Sequence, residues 1–172
     1  GPTEITAAAQ VKEINAAVQA GYNVLIVAAN DKDALVPALK DAMDKGVTVV
    51  TYDSDVAQDG RSVFVNQASS EGIGQALAKS ASDIAGGAGD IAILSTTPDA
   101  TNQNVWIDFM KKELAAKYPN VKVVATAYGL DKPEESTTET QGLIQKYPKI
   151  KAIVAPTSVG IVAAAKYVSG SA

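Results

Sequence analysis

Four short stretches of this chain concentrate groups able to hold a polyhydroxylated molecule. Thr51-Tyr52-Asp53-Ser54-Asp55 sets two carboxylates and two aliphatic hydroxyls directly behind an apolar run. Ser95 to Asn104 carries hydroxyls, an acid and then three consecutive amides, Asn102-Gln103-Asn104. Ala28-Ala29-Asn30-Asp31 and Pro156-Thr157-Ser158 complete the set. A carboxylate accepts several hydrogen bonds and an amide both donates and accepts, which matches sugar hydroxyls that also do both. A mispaired epimer would strand a buried polar group at a cost of about 1–3 kcal/mol, enough to choose between stereoisomers.

Other chemistries are removed by what the chain lacks. It contains no histidine and no cysteine, so zinc sites, disulfides and nucleophile–histidine mechanisms drop out. An enzyme with Asp53 and Asp55 as paired acids is a rival reading. Strand neighbours at i and i+2 are not placed to flank a scissile bond. No catalytic residue, metal or cofactor is assigned. The net charge of −4 argues against nucleic acid or an anionic membrane as a partner. No apolar run approaches the length of a membrane span. The chain opens on Gly1-Pro2, so any export signal would lie outside it.

The elements that must position these groups follow from periodicity. Val11, Ile14 and Val18 mark a first helix, closed by Gly21. Asn23 to Ala28 is apolar enough to suit a strand covered on both faces. Leu35, Leu39 and Met43 share a second helix with Pro37 near its first turn, and Val47 to Thr51 is the next strand. Ser62 to Val65 is a brief strand; Ser69 or Ser70 caps a helix with Ile73, Leu77 and Ile84 inward. Asp90 to Leu94, Val121 to Thr126 and Lys151 to Ala155 are further strands. Between them, Trp106, Met110, Leu114 and Tyr118 step along one helix, and Pro133-Glu134-Glu135 opens another. A last helix starts at Ser158. Strand–helix alternation at a period near thirty residues predicts right-handed βαβ units and doubly wound parallel sheets, an α/β fold.

In open parallel sheets, ligands bind beyond the carboxyl ends of the strands, and the four polar stretches lie there. Gly86 to Gly89 precedes its strand, so it is a turn and not a phosphate cradle. Turns and helix caps also favour Asp, Asn, Ser and Thr. That plainer explanation serves for Asp31, Asp99 and Thr101, and it leads for Ser158. It serves poorly for Asp53, a strand-terminal acid with a second acid behind it, and for the three amides, which exceed what one cap needs. Trp106 reads first as core and second as a stacking surface for a sugar.

The order Thr51-Tyr52-Asp53-Ser54-Asp55, Val65-Asn66-Gln67, Asn102-Gln103-Asn104-Val105-Trp106 and Ala155-Pro156 resembles the periplasmic sugar-binding proteins of bacterial ABC importers. The likeness is to the branch that holds rhamnose-binding proteins and autoinducer receptors. It implies two α/β lobes of the type I periplasmic-binding fold, joined by hinge crossings and closing on a ligand in the cleft. Carried over by position, Asp53 matches a ligand-binding acid, Gln103 a ligand-binding amide, and Pro156 a residue whose backbone meets the ligand. Asn102 stands where autoinducer receptors have an acid and Ser158 where they have alanine, which favours a neutral sugar. Asp55 would support the hinge.

The resemblance further implies residues 1–51 in the N-terminal lobe, 52–61 as a crossing and 62–155 in the C-terminal lobe. Residues 156–172 would be a second crossing, returning toward the first lobe. The chain reads as a fragment lacking both ends. Its implied partners are a small sugar and an ABC permease, with a periplasmic or lipid-anchored extracellular location and a monomer at full length. The effector domain of a sugar-responsive repressor is a further rival, which a DNA-binding segment ahead of Gly1 would favour.

Overall fold

The computed structural model describes residues 1–170. The strands and helices alternate as α1 (Ala7–Gln19), β1 (Val24–Val27), α2 (Val36–Asp44), β2 (Thr48–Tyr52) and β3 (Val63–Val65). They continue as α3 (Ser70–Ala85), β4 (Gly89–Ser95), α4 (Thr101–Lys117), β5 (Val121–Tyr128), α5 (Pro133–Lys146), β6 (Ala152–Val154) and α6 (Ser158–Gly170). Contacts divide the chain into two units, Gly1–Ala68 and the residues from Ser69 onward. No helix among the described residues is long and apolar enough to cross a membrane.

The helix ends follow local chemistry. Thr6 Oγ1 accepts the Ala9 N–H at 3.2 Å to start α1, and Ser69 Oγ accepts the Gly72 N–H at 3.2 Å to start α3. Each supplies an acceptor that the first turn otherwise lacks. Asp31 takes the N–H groups of Asp33 and Ala34 at 2.9 and 2.7 Å, shaping the lead-in to α2. Pro133 opens α5, with Glu134 and Glu135 in its first turn, where the helix dipole favours acids.

The first unit is a parallel sheet of order β1-β2-β3. Helices α1 and α2 pack Ile14, Leu35 and Leu39 against Leu25, Val27 and Val49 on one face. The strand expected to be covered on both sides is covered on one: Val24 is 51% and Ile26 69% exposed. Tyr52, Val63 and Val65 are exposed as well. Their register with β1 and β2 puts them on that same open face.

The second unit is fully sandwiched. Its parallel sheet has the order β5-β4-β6, and β4 is buried from Ile91 to Ser95. Ile91 and Ile93 face α3 and α4 in one core. Ala92 and Leu94 face Leu143 of α5 and Ala164 of α6 in a second core. The doubly wound expectation describes this unit as it stands.

Four placements differ from the sequence reading. The strand 63–65, assigned to the second lobe, pairs with β2 through Val50–Val63, Thr51–Phe64 and Tyr52–Val65. It belongs to the first unit, and the chain passes to the second unit between Ala68 and Ser69. Helix α6, expected to begin a return to the first lobe, packs on α5 and β4 of the second unit; Ser171 and Ala172 of that predicted segment lie outside the described residues. Helix α3 packs Leu77 against the core as expected, but the residues it buries are small, namely Gly74, Ala78, Ala81 and Ala85, and Ile84 is left 69% exposed. On α4 the inward stripe is Gln103, Ile107, Met110 and Leu114, with Trp106 half-buried at its flank.

The α3 result has a steric cause. A Cβ at Gly74 would lie 2.3 Å from Phe109 Cβ and 2.8 Å from the Met110 nitrogen, so α3 and α4 approach closer than an alanine permits. Gly74→Ala gains about 1 kcal/mol of helix propensity but forces the helices apart. Overpacking typically costs about 1–3 kcal/mol and at a backbone contact this tight the upper end or more. Urea unfolding should show a net loss of stability; a variant as stable as the parent would mean this contact does not set the helix spacing.

Candidate functional site

Strand β2 delivers Tyr52 to a tight turn. The Ser54 N–H donates to the Tyr52 carbonyl at 2.6 Å, and the residue between them, Asp53, has φ of 58°. This is a three-residue turn of the positive-φ hand, the rarer and more strained kind. A non-glycine residue held this way costs roughly 1–3 kcal/mol and persists only where its surroundings enforce it. The Ala29 N–H donates to the Ser54 carbonyl at 2.9 Å, tying the turn to the end of β1. Gln10 of α1 holds the adjacent loop, donating to the Ala28 carbonyl at 2.7 Å and accepting from the Asn30 N–H at 2.8 Å.

The two acids behind β2 have separate surroundings. Asp55 accepts from Thr51 Oγ1 at 2.5 Å and from Arg61 Nε at 2.7 and 2.9 Å to its two oxygens. Thr51 is fully buried, and the Arg61 guanidinium also lies 5.7 Å from the centre of the Phe64 ring. Asp55 thus braces the segment that joins β2 to β3. Asp53 instead accepts from Gln67 Nε2 at 2.6 Å, on the partly exposed rim of the sheet.

In the second unit the amide cluster opens α4. Gln103 is 7% exposed, and its Oε1 accepts from Ser95 Oγ at 2.8 Å and from the Thr96 N–H at 3.1 Å. It holds the end of β4, where the ladder no longer satisfies those donors. Asn102 Oδ1 accepts the Gln103 N–H at 2.8 Å, and Asn104 Nδ2 donates to the Pro98 carbonyl at 2.7 Å. The loop after β5 folds onto the same place: Gly129 and Leu130 donate their N–H groups to the Ser95 and Thr96 carbonyls, both at 2.9 Å. Pro156 follows β6 and is half-buried, and Thr157 Oγ1 donates to Asp131 Oδ1 at 2.6 Å. Ser158 is exposed as the first residue of α6 and lines a groove with Pro133, Thr137 and Val162.

In each unit, taken by itself, polar groups gather at the carboxyl ends of the parallel strands, where this topology places its ligands. Residues 1–172 match a family model described as "Periplasmic binding protein domain". The chain belongs to this family. One solved periplasmic binding protein similar to it is an ABC transporter solute binding protein from Clostridium phytofermentas with bound L-rhamnose. The two are 43% identical with a TM-score of 0.96, over 99% of this chain and 53% of that one. A sugar ABC transporter structure from Actinomyces odontolyticus is 49% identical with a TM-score of 0.64, over 98% and 55%. LsrB from Clostridium saccharobutylicum, in complex with AI-2, is 30% identical with a TM-score of 0.90, over 96% and 54%. The chain spans about half the length of these structures.

Among the residues singled out in this periplasmic binding protein chain, Asn102, Gln103, Pro156 and Ser158 lie in the second unit. Asp53 lies in the first. Trp106 flanks the inward stripe of α4. Three bonding partners near these groups were given no role of their own in the sequence reading. Gln67 stood inside the family-like order but was given no role, and its Nε2 donates to Asp53 Oδ1. Asp131 drew no reading and Thr157 was named only within the Pro156–Ser158 stretch; their bond links positions 26 apart in sequence, beyond any local spacing signal.

Proposed function

We propose that this chain is part of a substrate-binding protein that captures a small neutral sugar and hands it to an ABC importer permease outside the cytoplasmic membrane. The observation that carries the reading is 43% identity across 99% of the chain to a solute binding protein holding L-rhamnose. Asp53 would contribute from the first unit, with Asn102, Gln103 and the backbone at Pro156 from the second. Trp106 and Ser158 stand as secondary candidates. The amide at Asn102, where autoinducer receptors have an acid, favours a neutral sugar over an autoinducer. The role is binding without turnover, so the sugar should be recovered unchanged after incubation.

Calorimetric titration of the full-length protein with L-rhamnose, D-arabinose, D-fucose and AI-2 tests this. A dissociation constant in the micromolar range or below for one of the sugars, about −8 kcal/mol or tighter, is the expected result. Binding of AI-2 with no sugar bound would reverse the ligand assignment. Silence with the whole panel would remove it.

A further inference from the structure

We propose that Asp131 and Thr157 form a latch that positions the ligand-facing turn at the end of β6, a role that rests on the sugar-binding reading above. The Thr157 hydroxyl donates to the Asp131 carboxylate at 2.6 Å in a part-buried site. Yet β5 and β6 are not neighbours, because β4 lies between them. Strands sit about 4.8 Å apart in a sheet, so the two outer strands are separated by roughly 10 Å. The bond closes only because both loops fold inward over the end of β4.

Each loop is built to make that reach. On the β5 side, the Gly129 and Leu130 N–H groups bind the Ser95 and Thr96 carbonyls, and the Lys132 N–H returns to the Gly129 carbonyl at 2.9 Å. Leu130 and Asp131 then take consecutive left-handed conformations, φ 52° and 51°. Aspartate tolerates that region; leucine does so rarely, and such strain survives where the surrounding structure imposes it. Gly129 is also required, since a Cβ there would meet Ser136 Oγ at 2.3 Å.

On the β6 side, Thr157 is held at its hydroxyl and at its carbonyl, and its methyl fills space that only a glycine at position 160 leaves open. Its hydroxyl goes to Asp131, and its carbonyl accepts the Ile161 N–H at 3.0 Å. Its methyl lies 2.6 Å from where a Gly160 Cβ would be. A β-branched side chain is stiff at χ1, and the bond to Asp131 selects its rotamer. Pro156, directly before it, has φ locked by its ring. The backbone at Pro156 is thus constrained by its own ring and by the residue after it, and the Thr157–Asp131 bond ties this turn to the loop after β5 through a single hydroxyl. Asp131 and Thr157 are positioning residues; the ligand-facing group is the backbone they aim.

Thr157→Val keeps the shape and removes the hydroxyl, while Thr157→Ser keeps the hydroxyl. Asp131→Gly removes the acceptor and relieves the left-handed backbone. L-rhamnose binding to the full-length protein is measured by calorimetry and stopped flow, with apo thermal midpoints alongside. Thr157→Val and Asp131→Gly should each weaken binding about 5- to 20-fold, mostly through faster dissociation. Thr157→Ser should stay within about twofold of the parent, and the double variant should lose no more than either single one, as for groups acting through one bond. Affinity within twofold for Thr157→Val, additive losses in the double variant, or losses that follow the thermal midpoint with no rescue by serine would each overturn the latch. If the unmodified protein ignores the sugar panel while folding normally, the sugar reading fails and the latch falls with it.

Discussion

Gln103→Ala should strongly destabilise the second unit. It strips the acceptor from Ser95 Oγ, on a residue with no exposed surface, and from the Thr96 N–H. Each stranded buried donor costs roughly 1–3 kcal/mol, and the vacated space adds a cavity penalty. A loss of about 3 kcal/mol or more is expected, close to half the stability of a marginal domain. Gln103→Met separates the terms, since it fills the space without supplying an acceptor. Urea unfolding should place it between alanine and the parent. A methionine variant as stable as the parent would show that the end of β4 does not depend on this oxygen. Sugar affinity, read well below the melting transition, should fall in both variants.

The second large effect concerns Asp53, where binding and folding should move in opposite directions. Removing a charged hydrogen-bonding group from a binding site costs about 1.5–3 kcal/mol, which is roughly 10- to 100-fold in affinity. Asp53→Ala and Asp53→Gly should both lose that much for L-rhamnose. Alanine is left in a backbone conformation that suits it badly, with φ at 58°. Glycine relieves a strain of roughly 1–3 kcal/mol against about 0.5–1 kcal/mol of added chain entropy in the unfolded state. Apo stability of the glycine variant should therefore equal or exceed that of the parent while its sugar affinity collapses. Retained affinity in Asp53→Gly would remove Asp53 from the ligand's contacts.

Much of the fold could be read from the chain because parallel α/β architecture writes itself locally. Apolar runs became β1, β2, β4, β5 and β6, and Ser69 and Pro133 stand at the helix starts expected of them. The errors arose where a choice was tertiary. Val63–Val65 is apolar enough to join either sheet, and three residues carry no mark of their partner. Helix α3 was read by its largest apolar residues, but the approach to α4 at Gly74 demanded a small-residue face and turned Ile84 outward. In the candidate site, Asp53 and the amides stood out because they outnumber what caps require. Gln103 combined two signals that sequence could not separate, a ligand-like amide and a buried brace for β4. Asp131 and Gln67 make their bonds across 26 and 14 positions, where only folding brings the partners together.

The turn at Asp53 narrows the vocabulary of side chains open to that position. A positive φ admits glycine freely, costs asparagine and aspartate less than other residues, and penalises nearly everything else more. Glycine brings no recognition chemistry, so the backbone leaves two useful letters, one anionic acceptor and one neutral amide that both accepts and donates. Drift in ligand preference at this point would then proceed by toggling between aspartate and asparagine, a single-atom exchange. Larger or basic heads, the usual route to charged ligands, are closed off before any ligand is met. With Asp53 in the ligand contact proposed above, a strained three-residue turn would act as a filter on what the protein can evolve to hold.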